Sequence, residues 1–163
     1  MKPPGARQVA LTISGSQTDP DGNTQETSAT CRALCFEYKD GHLFLYEENG
    51  ERVRLFLSKT LAWTDRGKKD LSDRVNGLIF DPSVSSHQCF YETGYGRIPM
   101  EVRTKSITLM GGRRQMRQDS EKTFEEETGQ QGFRLQARVK YSLWPDPKYE
   151  MKSTVTIKAQ QID

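Results

Sequence analysis

The chain has 163 residues, of which 34% are hydrophobic and 28% are charged, and its mean hydropathy is -0.79. This length predicts a single domain, 1–163, because no shift in composition and no linker rich in proline or serine divides the sequence. The mixed charges exclude a disordered chain, and the net charge of +2 gives no reason to expect a polyanionic partner.

The N-terminal sequence and the cysteines predict a cytoplasmic protein that does not associate with a membrane. Residues 1–7 contain no apolar segment of a signal peptide, and no stretch of 18 apolar residues occurs. The three cysteines are an odd number, which suits a reducing compartment. In a strand Cys31 and Cys35 would lie roughly 13 Å apart, too far for a disulfide, so we interpret them as small buried side chains.

Strand patterns start close to the N-terminus and recur along the chain. Val9, Leu11 and Ile13 alternate with polar residues and predict the first strand, which ends at the turn-forming cluster 19–23. Further runs of β-branched, aromatic and alternating residues follow about every eight to twelve residues, with turn-forming residues between them. No convincing amphipathic helix interrupts this pattern, which is typical of a β-meander.

The second predicted strand, 24–39, is long enough to bend. Its apolar residues change parity between Cys31 and Leu34, and this change predicts a β-bulge near Arg32 and Ala33. A bulge of this kind would let the strand curve around a barrel.

The clearest hairpin signal lies in residues 88–105. Gly94 and Gly96 can take positive φ between two strand-like arms, and in the second arm apolar and charged residues alternate. After this hairpin the polar stretch 111–131 is long for a connection in a compact domain, so we predict a mobile or functional loop there. One or two helical turns over 120–127 are an alternative for part of it.

The last two predicted strands show the most regular alternation. It holds for eleven residues from Phe133 to Leu143, and again from Tyr149 to Ala159. An alternation that repeats every two residues would spread the apolar residues around all sides of a helix. Only a strand places the apolar residues of these runs on one buried face. A final strand that pairs with the first would remove both sheet edges. The sequence therefore predicts an all-β fold, an antiparallel up-and-down β-barrel of eight to ten strands.

The hairpin also carries a resemblance to a known family. It reads Tyr-Glu-Thr-Gly-Tyr-Gly at 91–96 and Ile-Pro-Met-Glu-Val-Arg-Thr at 98–104, and the resemblance extends from Val9 to Ile157. On these residues the chain resembles the YwiB-like family, bacterial proteins of a domain of unknown function. The resemblance implies a calycin-like or lipocalin-like barrel and no known activity.

Motifs for catalysis and for cofactors are missing from the sequence. His42 and His87 lie in different predicted strands and lack a metal-binding spacing, so we predict no metal site. No nucleophile elbow, phosphate-binding loop or dinucleotide fingerprint occurs. We therefore predict no catalytic residue, no cofactor and no enzyme, while sites assembled across strands are not visible in a sequence.

Inward-pointing aromatic and small residues predict space in the barrel interior. They are Tyr46, Tyr91, Phe133 and Tyr141, with Gly15, Ala29, Thr104, Ala137 and Ser153. A small barrel either fills with its own side chains or holds one small ligand, and both alternatives stay open. We hypothesise non-enzymatic binding of a small, partly polar organic ligand, with Arg66 neutralising an anionic group. The candidate binding residues near a barrel mouth are Tyr46, Glu48, Arg66, Tyr91, Thr93 and Tyr95.

A basic stripe on the outside suggests the alternative, a protein-interaction or RNA-contacting module that also uses the 111–131 loop. The candidate residues for this surface are Arg97, Arg103, Arg134 and Arg138, beside Lys105 and Lys140. Glu92 and Glu101 interrupt the stripe, and no aromatic platform accompanies it, so a solvated face is favoured over a nucleic-acid surface. The sequence leaves open whether the protein is a monomer or a homodimer.

Overall fold

The computed structural model describes residues 5–66, 77–93, 96–111 and 132–162. For residues 91–93 and 96–97 it describes the backbone alone. Within these ranges the chain forms ten strands and no helix. The strands are β1 (Arg7–Thr18), β2 (Thr24–Tyr38), β3 (Gly41–Glu48), β4 (Glu51–Leu57), β5 (Ala62–Arg66), β6 (Ile79–Phe80), β7 (His87–Thr93), β8 (Gly96–Gly111), β9 (Arg134–Asp146) and β10 (Tyr149–Gln161).

These strands form one antiparallel meander in which the first and the last strand meet. The order across the sheet is β6-β5-β4-β3-β2-β1-β10-β9-β8-β7. Strand β1 pairs with β10 from Val9 opposite Gln161 to Thr18 opposite Lys152. The pairing of the terminal strands, predicted from the alternation in β10, is therefore confirmed.

Contacts between β6 and the β7–β8 hairpin bring the two ends of the sheet together. Gly77 forms an isolated antiparallel bridge with Phe90, and the backbone N–H of Ile79 donates a hydrogen bond to Cys89 Sγ at 3.3 Å. The fold is thus a nearly closed, up-and-down antiparallel barrel of ten strands, as predicted, and it is consistent with a calycin-like barrel.

The inward-facing side chains form a continuous hydrophobic core. Val9 and Leu11 of β1, Phe44 of β3 and Leu57 of β4 are completely buried, and Val139 of β9 is 1% exposed. Along β9 the buried residues alternate with exposed basic ones, so the predicted inside and outside faces of this strand are confirmed.

A bulge in β8 rather than in β2 adjusts the alternation. The register between β8 and β9 shifts between Thr104 and Ser106, and Ile107 beyond the shift packs against the core. The bulge predicted near Arg32 and Ala33 is wrong, because β1 and β2 pair without a register shift. Ala33 stays on the inner face of β2.

A second apolar group on the outside of the barrel explains that wrong prediction. Leu43 and Phe56 occupy outward positions on β3 and β4, yet they are only 5% and 2% exposed. The Phe56 ring stacks on Trp63 with 5.8 Å between ring centroids, and the edge of Tyr38 meets it at 6.0 Å. Leu34, opposite Leu45 of β3, belongs to this outer face, so its apolar character did not signal a change of parity.

The barrel end at which β1 begins is plugged by Phe133. This ring is 1% exposed, its centroid lies 5.1 Å from that of His42, and the Arg7 guanidinium lies 4.7 Å above it. Its backbone N–H donates to Gln161 Oε1 at 3.0 Å, which ties the plug to the end of β10. Any ligand in the barrel would therefore enter elsewhere.

Candidate ligand site at the open end of the barrel

The opposite barrel end brings three of the candidate residues into one row. Tyr46 of β3 pairs with Val53 of β4, and Val53 pairs with Arg66 of β5. Tyr46 and Arg66 therefore point to the inner face, as Val53 does. Glu48 lies two residues beyond Tyr46 and shares its face. The structure thus groups Tyr46, Glu48 and Arg66 as the sequence analysis expected of a site near a barrel mouth.

Arg66 is held by two carboxylates at this mouth. Its Nη2 lies 2.8 Å from Glu48 Oε1, and its Nη1 lies 3.7 Å from Glu51 Oε1. All three side chains keep contact with solvent, with exposures of 24% for Arg66, 43% for Glu48 and 52% for Glu51. The cluster carries two negative charges and one positive charge, so it suits a hydrogen-bond donor or a cation better than the anionic group that the sequence predicts for Arg66.

Tyr46 and Cys31 are partly buried beside this charged cluster. Burial, and then the Glu48 carboxylate, raises the pKa of Tyr46 to about 12, while Arg66 opposes the rise. Burial and Glu48 also raise the pKa of the Cys31 thiol. Both groups are therefore neutral at physiological pH and can exchange hydrogen bonds with a ligand.

A notch in the barrel wall lies next to Tyr46. Strands β2 and β3 pair from Tyr38 opposite Gly41 up to Leu34 opposite Leu45, and then they separate. The separation leaves a cavity of about 450 Å³ whose lining includes both inner and outer residues of the two strands. It is lined by Gln8, Cys31, Arg32, Ala33, Leu34, Leu45, Tyr46 and Glu47. The notch connects the interior beside Tyr46 and Cys31 with solvent.

Cys31 is the member of this site that the sequence analysis missed. The sequence predicts that all three cysteines are small buried side chains, and Cys35 and Cys89 are indeed buried. Cys31 is half-buried because β3 leaves β2 at this height. No signal in the sequence marks the position where two neighbouring strands separate.

The other three candidate ligand residues lie in or next to the β7–β8 hairpin. Thr93 pairs with Gly96, which confirms the hairpin, and these strand ends lie at the same barrel end as Glu48. Tyr91 and Thr93 are placed on β7, but their side chains lie outside the described part of the structure, as does Tyr95 as a whole. Their contact with Tyr46 stays a prediction.

A further polar pair lies in the interior on the other wall. Tyr141 of β9 is directly opposite Ser153 of β10, and the Tyr141 ring lies 4.5 Å from that of Phe80. Burial raises the pKa of Tyr141, and the neighbouring Ser153 hydroxyl opposes the rise. Ser153 Oγ is itself enclosed and forms no hydrogen bond of good geometry, so we take this pair as a loose contact that leaves an unsatisfied polar atom inside the barrel.

The outer face of β8, β9 and β10 is more basic than the stripe read from the sequence. Pairing places Arg138 between Thr108 and Thr156, with no acidic residue beside it. Arg103 packs 4.7 Å above the Trp144 ring and bonds Glu101 at 3.1 Å, and the side chain of Arg97 is outside the described part. The described basic residues of this face are Arg103, Lys105, Arg134, Arg138, Lys140, Lys152 and Lys158. The two β10 lysines were missed although they lie at outward positions of the predicted alternation in β10.

The described residues offer no group of three or more histidine, cysteine or acidic side chains that could hold a metal ion. Across those same ranges, no helix is long and apolar enough to cross a membrane. The loop 112–131, with the helical turns considered there, lies outside the described residues.

The comparisons with known proteins bear on the fold. A scan against models of protein families finds no match, and a search of curated proteins finds none either. The chain is similar to the crystal structure of the ywiB protein from Bacillus subtilis, with a TM-score of 0.66 and 12% sequence identity over 96% of this chain and 94% of that chain. At this identity the likeness shows the fold alone, and at that level it confirms the resemblance to the YwiB-like family.

Proposed function

We propose that the protein binds a small, partly polar organic molecule through the notch at the open end of its barrel and catalyses no reaction. The observation that carries this proposal is the row of Tyr46, Glu48 and Arg66 beside a cavity of about 450 Å³. Ligand pockets occupy roughly 300–1,000 Å³ and combine an apolar lining with a few convergent polar groups. The notch has both properties.

The charged cluster next to Tyr46 defines the kind of ligand, since the notch itself is lined by one basic and one acidic side chain, Arg32 and Glu47. Arg66 is already paired with Glu48 and Glu51, so the cluster has an excess of negative charge. The Tyr46 phenol adds a hydrogen-bond donor and acceptor, and Ala33, Leu34 and Leu45 supply the apolar wall. A molecule with an apolar body and an amine or other donor group fits this arrangement. The free cysteines support the cytoplasm as the compartment that we propose.

Thermal-shift and native mass spectrometry screens of small organic amines and neutral amides test the proposal. We expect a hit whose affinity falls at least about tenfold in Tyr46→Phe or Glu48→Gln, because each substitution removes a hydrogen-bonding group. Tyr149→Phe is the matched control, since Tyr149 is exposed in the β9–β10 turn. A bound ligand should also slow the reaction of Cys31 with a thiol reagent. Hits that bind Tyr46→Phe and Glu48→Gln unchanged would contradict the site.

The basic outer face favours a second candidate function, contact with RNA or another polyanion. Its support is the continuous arrangement of basic side chains over β8, β9 and β10, to which Lys152 and Lys158 contribute. Binding through about four phosphates should weaken by roughly two orders of magnitude between about 50 and about 200 mM salt. Arg138→Glu with Lys158→Glu should abolish it, while Arg52→Glu on the other wall should not. RNA retention that ignores salt would remove this candidate.

A further inference from the structure

The first ten residues of β2 form a strand edge that has no partner strand on one side in the described part of the chain. From Thr24 to Ala33 the strand pairs with β1, whereas β3 joins its other edge only at Leu34. Among the described residues no other strand lies along this edge. Every residue from Thr24 to Thr30 is exposed, on both faces of the sheet. This part of β2 therefore lies outside the hydrophobic core, while β1 stays paired with β10 as far as Thr18.

The β1–β2 hairpin is held in a defined shape. Asp19 Oδ1 accepts hydrogen bonds from the backbone N–H groups of Asp21 and Asn23, both at 2.9 Å, which fixes the turn. Hydroxyl pairs connect the two strands on the outer face, with Thr12 to Thr30 at 3.1 Å as an example. The edge is thus a preformed template and not a frayed end.

Apart from the charged side chains of Glu26 and Arg32, the sequence of the edge shows none of the features that protect exposed strands. Proteins protect such edges with proline, lysine, β-bulges or very short strands. The edge reads Thr-Gln-Glu-Thr-Ser-Ala-Thr-Cys-Arg-Ala, with no proline or lysine and with an uninterrupted register to β1. Threonine has a high strand propensity, and the small alanine and serine side chains permit close approach. Such an edge is suited to pairing with another strand.

We propose that this edge pairs antiparallel with the same edge of a second copy of the chain, about a twofold axis at Ala29. An antiparallel pair of identical strands is self-complementary, which is the geometry of the commonest protein dimers. The dimer does not require the proposed ligand, although Cys31, Arg32 and Ala33 of this edge also line the notch.

Charge complementarity selects the register. Glu26 and Arg32 are the only charged residues between Thr24 and Ala33. With Ala29 opposite Ala29 of the second copy, Glu26 of each copy lies opposite Arg32 of the other. Opposite charges in directly facing positions of an antiparallel pair stabilise it, and like charges destabilise it. The same register places Thr27 opposite Cys31 and Ser28 opposite Thr30, so it continues the hydroxyl contacts already present between β1 and β2.

The notch gives the second copy room at the end of the paired region. Arg32 and Ala33 line the cavity that opens where β3 leaves β2. The strand of the second copy reaches Arg32 with its Glu26 and can pass this point before β3 blocks the edge at Leu34. The number of paired residues is small, so we expect a weak dimer in the micromolar range.

Sedimentation of the full chain over a range of concentrations, together with a charge exchange, tests the interface. We expect a concentration-dependent dimer whose dissociation constant rises at least about tenfold in Glu26→Arg and in Arg32→Glu, because each places two like-charged pairs across the axis. The double variant Glu26→Arg with Arg32→Glu should restore dimerisation. Arg138→Glu on β9, three strands away, is the control and should change nothing. A chain that stays monomeric into the millimolar range, or a dimer insensitive to both single changes, overturns the proposal.

Crosslinking tests the register separately. Opposite residues of an antiparallel pair have Cα atoms about 4.5–5.5 Å apart, within disulfide reach. Under mild oxidation Thr27→Cys should therefore crosslink to Cys31 of the second copy. Ser28→Cys faces the other side of the sheet and should not. Within one chain, positions 27 and 31 are roughly 13 Å apart in the strand, so the product must be a dimer. Equal crosslinking of both variants overturns the register.

Discussion

Val139 offers a stringent test of which residues face the barrel interior. It is 1% exposed on β9, opposite Val155 of β10 and Ile107 of β8. Val139→Asp loses the burial of the valine side chain, which stabilises by about 2 kcal/mol. It also places an unpaired carboxyl group in the apolar core, at a cost of roughly 3 kcal/mol or more. We expect the free energy of unfolding to fall by about 5 kcal/mol, a large share of the stability of a domain.

The neighbouring residue supplies the matched control. Arg138 is exposed on the outer face among other basic side chains, so Arg138→Asp should change the free energy of unfolding by about 0.5 kcal/mol or less. Urea unfolding followed by tryptophan fluorescence and circular dichroism measures both variants. If Val139→Asp proves too unstable to purify, Val139→Thr has the same shape and should still cost about 1–3 kcal/mol. Equal losses in the Val139 and Arg138 variants would show that the assignment of inner and outer faces is wrong.

The pH dependence of Val139→Asp gives an internal check. Burial raises the folded-state pKa of a carboxyl group above its value of about 3.9 in the unfolded chain. The penalty is therefore largest above the folded-state pKa and shrinks as the pH falls through that value. The variant should recover stability relative to the parent protein between neutral pH and about pH 4.

Three further variants test other parts of the structure. Arg54→Met leaves the buried Asp65 carboxylate without its ion-pair partner, so urea unfolding should show a loss of about 3–5 kcal/mol. Gly77→Ala directs a methyl group at the Thr64 carbonyl of β5 and should cost about 1–3 kcal/mol, and an unchanged stability would mean that residue 77 does not pack against Thr64. The pKa of Tyr46 is about 12 in the folded protein and 10.0 for a free tyrosine. The stabilising contribution of the protonated Tyr46 is therefore lost as the pH rises from 10 towards 12. Tyr46→Phe should lose stability less steeply over that range.

The barrel could be predicted because strand signals are local. The alternation in β9 and β10 and the glycines of the β7–β8 hairpin each act within a dozen residues. The bulge at Lys105 could also be predicted, because Thr104 and Ile107 both point inward although one position is even and the other is odd. The position of Leu34 was misread because an apolar residue can be covered on the outside of a barrel as well as inside.

The candidate site could be predicted only in part. Tyr46, Glu48 and Arg66 are brought together by the pairing of β3, β4 and β5, and the hairpin signals between these strands make that pairing local. The notch depends on where β3 leaves β2. This position is a consequence of register around a closed ring, which no short stretch of sequence contains.

The pairing of β1 with β10 also determines when the protein can fold during synthesis. Val9 pairs with Ala33 early, but its partner on the other edge, Gln161, is made only after the other nine strands, so β1 to β10 must all be present before the wall is complete. Until then both the β1 edge and the apolar inner face stay accessible to other chains. Contacts of such large sequence separation also slow folding. A chain whose β1 has not yet paired with β10 is therefore more exposed to aggregation than the finished barrel.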